Sequence, residues 1–207
     1  MKRSRISAVL SGLIDLIVAG LLWILCSLPV VTLGASTTAL YYAVVKCVRH
    51  NRGRLSPTFF QAFRSNFRQA TLIWLLMLAY LLVYMADAWA IRMMGVGQGS
   101  FLRPLSILFL LPPAFLFPWV FAFLSRFDNT VMGSLKFCGW LALRHAGRTL
   151  LLALILAGAV LICWLIPFLL PILPAAVCLI VSLVSEPVFR LLQQDAPDRN
   201  PDAWYNE

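Results

Sequence analysis

Acidic residues are scarce in this chain: eight Asp and Glu stand against seventeen Lys and Arg, and charged residues of either sign make up only 12%. Soluble domains carry about twice that share, with roughly 45–50% apolar residues. Here 61% are apolar, more than a water-soluble fold of 207 residues can hide. Histidine is nearly absent. His50 and His145 stand alone and neither begins an HExxH pattern, so zinc hydrolysis has no ligand set. No Gly-rich loop ends in Lys-Ser or Lys-Thr, which removes the phosphate cradle of an ATPase. The glycines of 95–100, GVGQGS, lack the lysine and read as a plain loop. The five cysteines (Cys26, Cys47, Cys138, Cys163, Cys178) are odd in number and without CxxC spacing. They read as small buried hydrophobes rather than as metal ligands or a disulfide framework.

An aspartyl mechanism needs two carboxylates a few ångströms apart. Asp15 lies toward the inner third of the first apolar run and Asp87 near the outer end of the third, so they are not expected to meet. A Ser–His pair inside a membrane is also not expected, because both histidines sit at run boundaries. The chain reads as non-enzymatic, with no cofactor and no metal.

What the sequence does hold is apolar runs, at 8–28, 30–48, 70–90, 104–124, 149–168 and 172–191. Each is near the roughly 20 residues that a hydrocarbon core of about 30 Å demands of a helix. The runs are continuous, whereas a membrane strand alternates apolar and polar residues, so helices are expected rather than a barrel. The N-terminal run contains Asp15 and ends in Trp23-Ile24-Leu25, which suits a retained first span better than a cleaved leader. The fold class is all-α: a polytopic membrane bundle of about six transmembrane helices in three hairpins, with two cytoplasmic amphipathic helices. Residues 1–192 form one transmembrane domain and 193–207 a polar cytoplasmic tail, with Pro197 and Pro201, expected to stay disordered unless a partner orders it.

Lys and Arg near span ends resist translocation and so set orientation. With the N-terminus inside, fifteen of the seventeen basic residues fall on the cytoplasmic side and only Arg92 and Arg103 outside. An odd number of spans would break that asymmetry, so both termini are expected in the cytoplasm. The same distribution accounts for the net charge of +9 without nucleic acid, which needs basic residues on a folded polar surface.

Two basic segments separate the hairpins. In the first, Ser56 reads as an N-cap with Pro57 at the first helical position. Phe59, Phe60, Phe63 and Phe67 fall on one face, with Gln61, Arg64, Ser65 and Arg68 on the other, as in a helix lying along the inner membrane surface. In the second, Asp128 or Asn129 is expected to cap a helix running to about Arg148. There Phe137 and Trp140 share a side with Lys136, Arg144 and Arg148. Such a face suits a lipid interface or a docking surface for another protein. Candidate cytoplasmic docking residues are therefore Arg64, Arg68, Arg126, Asp128, Asn129, Phe137, Trp140, Arg144 and Arg148.

Charged groups inside a membrane are costly and hence candidates for function. Asp15 shares a stripe with Ser7 and Ser11 and is expected to face protein or water, either as a clamp to a neighbouring helix or as an ion, proton or partner contact. Glu186, four residues before Arg190, suggests a local ion pair disturbed by Pro187. Around Gly34 the sequence fits either a tight turn or a broken helix. In the second case Pro29 ends one rod, Gly34 permits a bend, and Ser36 caps a short helix presenting Ser36, Thr37 and Thr38. Asp15, Ser36, Thr37 and Thr38 are the candidate buried polar or partner site. Gly12, Gly20, Ala157 and Gly158 are small enough for close helix contact.

The stretch 22–42, LWILCSLPVVTLGASTTALYY, resembles the LPVVTxGASxxALYY signature of the YesL-like family of bacterial membrane proteins, a domain-of-unknown-function family. Phe59, Phe60, Phe63 and the run NFRQAT at 66–71 are similar to that family's basic, Phe-rich linker. SRFDNT at 125–130, followed by ALRHAGRTL at 142–150, is the third resemblance. The genes of that family often lie beside carbohydrate ABC importers and polysaccharide-degrading enzymes. The resemblance implies a non-catalytic accessory subunit or assembly factor of a carbohydrate ABC import system, whose partners are the bilayer and another membrane protein such as a permease subunit. The alternative is a small solute transporter acting alone.

Overall fold

A computed structural model describes residues 5–93, 102–127 and 130–194. Among them every regular element is helical: α1 (Arg5–Ser27), α2 (Leu33–Ala43), α3 (Leu55–Met93), α4 (Leu102–Leu124), α5 (Val131–Arg144), α6 (Ala146–Leu165) and α7 (Leu173–Gln194). Four helical stretches are long and apolar enough to cross a membrane: Val30–Arg49, Leu55–Met93, Ala146–Leu165 and Leu173–Leu192. Among the described residues α1 and α4 contribute shorter apolar stretches, Gly12–Ser27 and Phe115–Leu124. Asp128, Asn129 and the tail from 195 lie outside the described residues.

Pro29 lacks an amide hydrogen and disfavours helical backbone at Leu28, and α1 ends just before, at Ser27. A single tight turn, Val30–Thr32, follows. The Thr32 hydroxyl lies 2.6 Å from the Cys26 carbonyl and 2.8 Å from that of Pro29, answering acceptors left open at the helix end. The break in the chain therefore sits at 28–32, ahead of Gly34.

Gly34 lies inside α2 and serves a different purpose. A Cβ there would stand 2.6 Å from both the Ala70 carbonyl oxygen and Trp74 Cβ, so its absence lets α2 and α3 touch backbone to side chain. Ala35, Ala39 and Ala43 are likewise fully buried. This run of small residues makes α2 the central rod, packed against α1, α3, α4 and α7. The spanning window of α2 is 61% buried, against 11% for α3 and α6, whose apolar surfaces face outward. Past Ala43 the rod widens into a π turn, Val44–Arg49. Asn51 and Gly53, both with positive φ, then reverse the chain.

The expected surface helix at 56–68 is not separate from the third apolar run. No glycine or proline follows Pro57 as far as Met93, and α3 continues unbroken for 39 residues. At 1.5 Å per residue this is about 58 Å, nearly twice the hydrocarbon thickness. Its start at Leu55 places Ser56 and Pro57 in the first turn rather than ahead of it. The phenylalanine face also divides: Phe59 is fully buried with Thr58 and Ala62, whereas Phe60 and Phe67 are exposed beside Arg64 and Arg68.

The second basic segment breaks at His145 (φ −115°, ψ 45°), so Arg148 belongs to the first turn of α6. Thr130 caps α5 by accepting a hydrogen bond from the Gly133 amide at 3.2 Å, the task expected of Asp128 or Asn129. Pro112, Pro113 and Pro118 lie within α4, and Pro187 within α7, without ending either helix. Gly20 meets the turn between α6 and α7, where a Cβ would collide with the Pro171 carbonyl, while Gly12 and Gly158 have open space.

Candidate functional site

The hydroxyls expected to form a polar site are turned back on the bundle. Thr38 Oγ1 donates to the Gly34 carbonyl at 3.0 Å, and Thr37 Oγ1 to that of Leu33 at 2.7 Å. Thr37 also accepts from Trp23 Nε1 at 3.2 Å, and the hydroxyls of Ser36 and Ser27 lie 2.6 Å apart. Ser36 is thus buried within α2 rather than at its cap, and Ser36 and Thr37 fasten α1 to α2. Asp15 is half-buried on α1. It lies twelve residues before Ser27, about 18 Å along the axis, so the structure does not bring Asp15 and Ser36–Thr38 into one site.

A second polar group lies where the basic residues gather. Tyr41, on α2, places its hydroxyl 2.8 Å from Ser185 Oγ and 3.1 Å from Glu186 Oε1, both on α7. The other oxygen of Glu186 accepts from the Arg126 guanidinium in an ion pair whose two side chains are both buried. From the π turn Arg49 Nη1 donates to Ser182 Oγ at 2.9 Å, one turn along α7. Ser182 and Ser185 in turn donate to the Leu179 and Val181 carbonyls. The Glu186 carboxylate thereby ties α2 and the segment after α4 to α7, and Ser182 ties the π turn to the same helix.

Aromatic rings wall this group. Phe123 and Phe127 stack at 4.7 Å, Phe189 meets Phe127 at 5.9 Å and Trp119 at 6.1 Å, and Phe137 lies 5.1 Å from Phe123. Trp119 Nε1 is itself satisfied by Thr149 Oγ1 at 3.0 Å, which links α4 to α6. Beside the seam, burial and the Arg49 charge hold the His50 imidazole below its ordinary range, with Glu186 pulling the other way. Low polarity around a charge pair raises the worth of each contact and the cost of losing one.

Arg126 and Tyr41 meet the Glu186 carboxylate directly, partners that its spacing to Arg190 did not reveal. Arg126 is expected among the docking residues as part of the second basic segment. Its guanidinium instead points inward. The signal available was Glu186 itself, a carboxylate in an apolar stretch that had to find a partner inside the protein.

Of the other docking candidates, Arg64, Arg68, Trp140, Arg144 and Arg148 are exposed. Phe137 is half-buried, in contact with both Phe123 and Trp140, and the Arg144 guanidinium sits 4.9 Å over the Trp140 ring. The five cysteines are free thiols, of which Cys47, Cys138 and Cys178 are buried. Burial pushes the Cys138 thiol up to about 12, which suits an inert packing residue. Among the described residues no three His, Cys, Asp or Glu side chains gather as a metal centre would require.

Comparison with curated proteins and with solved structures finds no match. Residues 16–88, from α1 through α2 and the π turn into the far part of α3, match the family described as protein of unknown function, DUF624.

Proposed function

We propose that this protein is a non-catalytic accessory subunit or assembly factor that binds another membrane protein. In this reading six helices cross a bacterial plasma membrane as three hairpins with both termini in the cytoplasm. The observation that carries it is the use of the buried polar groups. Tyr41, Ser185, Glu186 and Arg126, like Ser27, Ser36, Trp23 and Thr37, bond helix to helix. A transporter site needs such groups turned toward a cavity or an unwound backbone. Here they hold the bundle closed.

The orientation is supported by the basic residues. Arg49, Arg126 and Arg190 act together on His50 at one end of the bundle. Arg52, Arg54, Arg64 and Arg68 adjoin it in the chain, and Arg92 lies at the far end of α3. With α3 longer than the bilayer is thick, its first turns extend past the hydrocarbon on the basic side. There Phe60, Arg64, Phe67 and Arg68 form an exposed stripe at helical spacing, an apolar and basic face fit for a partner's cytoplasmic surface. The partner class, a permease subunit of a carbohydrate ABC importer, rests on the family resemblance alone.

Purification in mild detergent followed by mass spectrometry of the bound proteins tests the proposal. A permease subunit is expected with the wild-type chain, and Phe60→Ser with Phe67→Ser should release it while the protein still inserts at normal levels. Phe137 is avoided because it belongs to the packed aromatic wall. Wild-type protein that purifies alone and moves a solute when reconstituted would instead identify a transporter.

A further inference from the structure

The outward face of α5 is built differently from that of α3. Met132, Lys136, Trp140, Leu143 and Arg144 are all exposed and fall within roughly 120° of the helix circumference. Ser134, Cys138, Leu141 and Ala142, on the other side, are buried. Leu143 is 79% exposed and Met132 63%, so large apolar groups and full charges share one arc. Across the break at His145 the surface continues into α6. Arg148 lies in its first turn, and beyond it Leu150, Leu151 and Leu154 are exposed along the apolar spanning stretch.

Those facts locate α5 at a boundary. α6 presents hydrocarbon-compatible surface from Leu150 onward, and Arg144 and Arg148 stand within two turns of that point. α5 packs against α4 and against α6, which is long and apolar enough to span, so it lies against the bundle beside a membrane-length helix. A face with apolar groups reaching into acyl chains and long basic side chains reaching for phosphate is the pattern of an interfacial helix. Trp140, with Arg144 over its ring, adds an indole of the kind enriched at that depth. Between Val131 and Leu165 there is no acidic residue to oppose an anion.

We propose that α5 lies in the headgroup layer and binds anionic phospholipid. Lys136, Arg144 and Arg148 engage the phosphates, while Met132, Trp140 and Leu143 enter the acyl boundary. The inference requires only that the chain be a membrane protein and is independent of the accessory role.

The test uses the full chain in mixed micelles titrated with phosphatidylglycerol or phosphatidylcholine, with bound lipids counted by native mass spectrometry. Wild-type protein should retain phosphatidylglycerol in preference to phosphatidylcholine, and less strongly as salt is raised. At about fivefold per basic residue, the Lys136→Gln, Arg144→Gln, Arg148→Gln variant should bind phosphatidylglycerol on the order of a hundredfold more weakly. Arg92→Gln, which alters an exposed basic residue at the far end of α3, should bind it as wild type does. A second readout is independent of those variants: brominated phosphatidylglycerol should quench wild-type fluorescence more than that of Trp140→Phe. Equal retention of the two lipids by wild type, or undiminished binding by the triple variant, overturns the proposal. So does release of a bound protein from the triple variant with its lipid unchanged, which would place a protein on this stripe.

Discussion

A carboxylate among apolar side chains is costly to ionise unless an opposite charge and hydrogen bonds surround it, and Glu186 has both in Arg126 and Tyr41. Removing one partner of such a pair leaves the other charge buried, a loss of about 3–5 kcal/mol, whereas replacing both with apolar groups is often near neutral. Arg126→Met should therefore lower the thermal midpoint of the detergent-solubilised protein sharply, and Arg126→Met with Glu186→Leu should restore most of it. A single variant as stable as wild type would show that the pair does not hold the helices. At this scale the sequence was legible only in part. Glu186 was visible as an ionisable residue in an apolar run, but its partner lies 60 positions away, and only the packing of α4 against α7 brings Arg126 to it. Ser36–Thr38 were visible as hydroxyls beside a proline break. Their direction, back toward Leu33, Gly34, Ser27 and Trp23, depends on rotamers and a neighbouring helix.

Elements were more readable, because long apolar runs have few ways to satisfy their backbone in lipid. All six runs fall on helices, and the proline at 29 separates two of them as expected. The differences arise where adjacent segments compete. From Leu55 onward the polar periodicity changes at about Ala70, yet without glycine or proline nothing stops the helix, so surface segment and span merge into α3. Around Gly34 the sequence fits a tight turn or a bend, whereas its missing Cβ is used for contact. This distinction is measurable. Gly34→Ala must push α2 from Ala70 and Trp74, at a cost of about 1–3 kcal/mol for overpacking. Gly158→Ala, with nothing within 4 Å, should be neutral or stabilising by up to about 1 kcal/mol through helix propensity. Thermal midpoints of the two variants in the same detergent check the contrast. Equal effects would mean that Gly34 does not set the spacing of α2 and α3.

At the scale of the whole molecule the burial pattern and the charge pattern agree on one axis. α2 forms the interior, α3 and α6 present apolar surfaces, and the basic residues near Arg49, Arg126 and Arg190 gather at one end. Because positive residues resist translocation, the proposed orientation puts that end in the cytoplasm. The helix α3 offers a direct test, since Arg54 immediately precedes it and Arg92 lies near its other end, about 57 Å away along the axis. Both are exposed, as is Arg190 near the end of α7. On a background with the five native cysteines replaced, Arg92→Cys should react with a membrane-impermeant maleimide added to intact cells. Arg54→Cys should react only after the membrane is opened. Arg190→Cys carries the count: an even number of crossings places it with Arg54→Cys, and an odd number with Arg92→Cys. Labelling of Arg54→Cys from outside would invert the orientation and put the Phe60, Arg64, Phe67 and Arg68 stripe beyond the reach of any cytoplasmic partner. Labelling of Arg190→Cys alone would leave the stripe in the cytoplasm but remove one span from the proposed six.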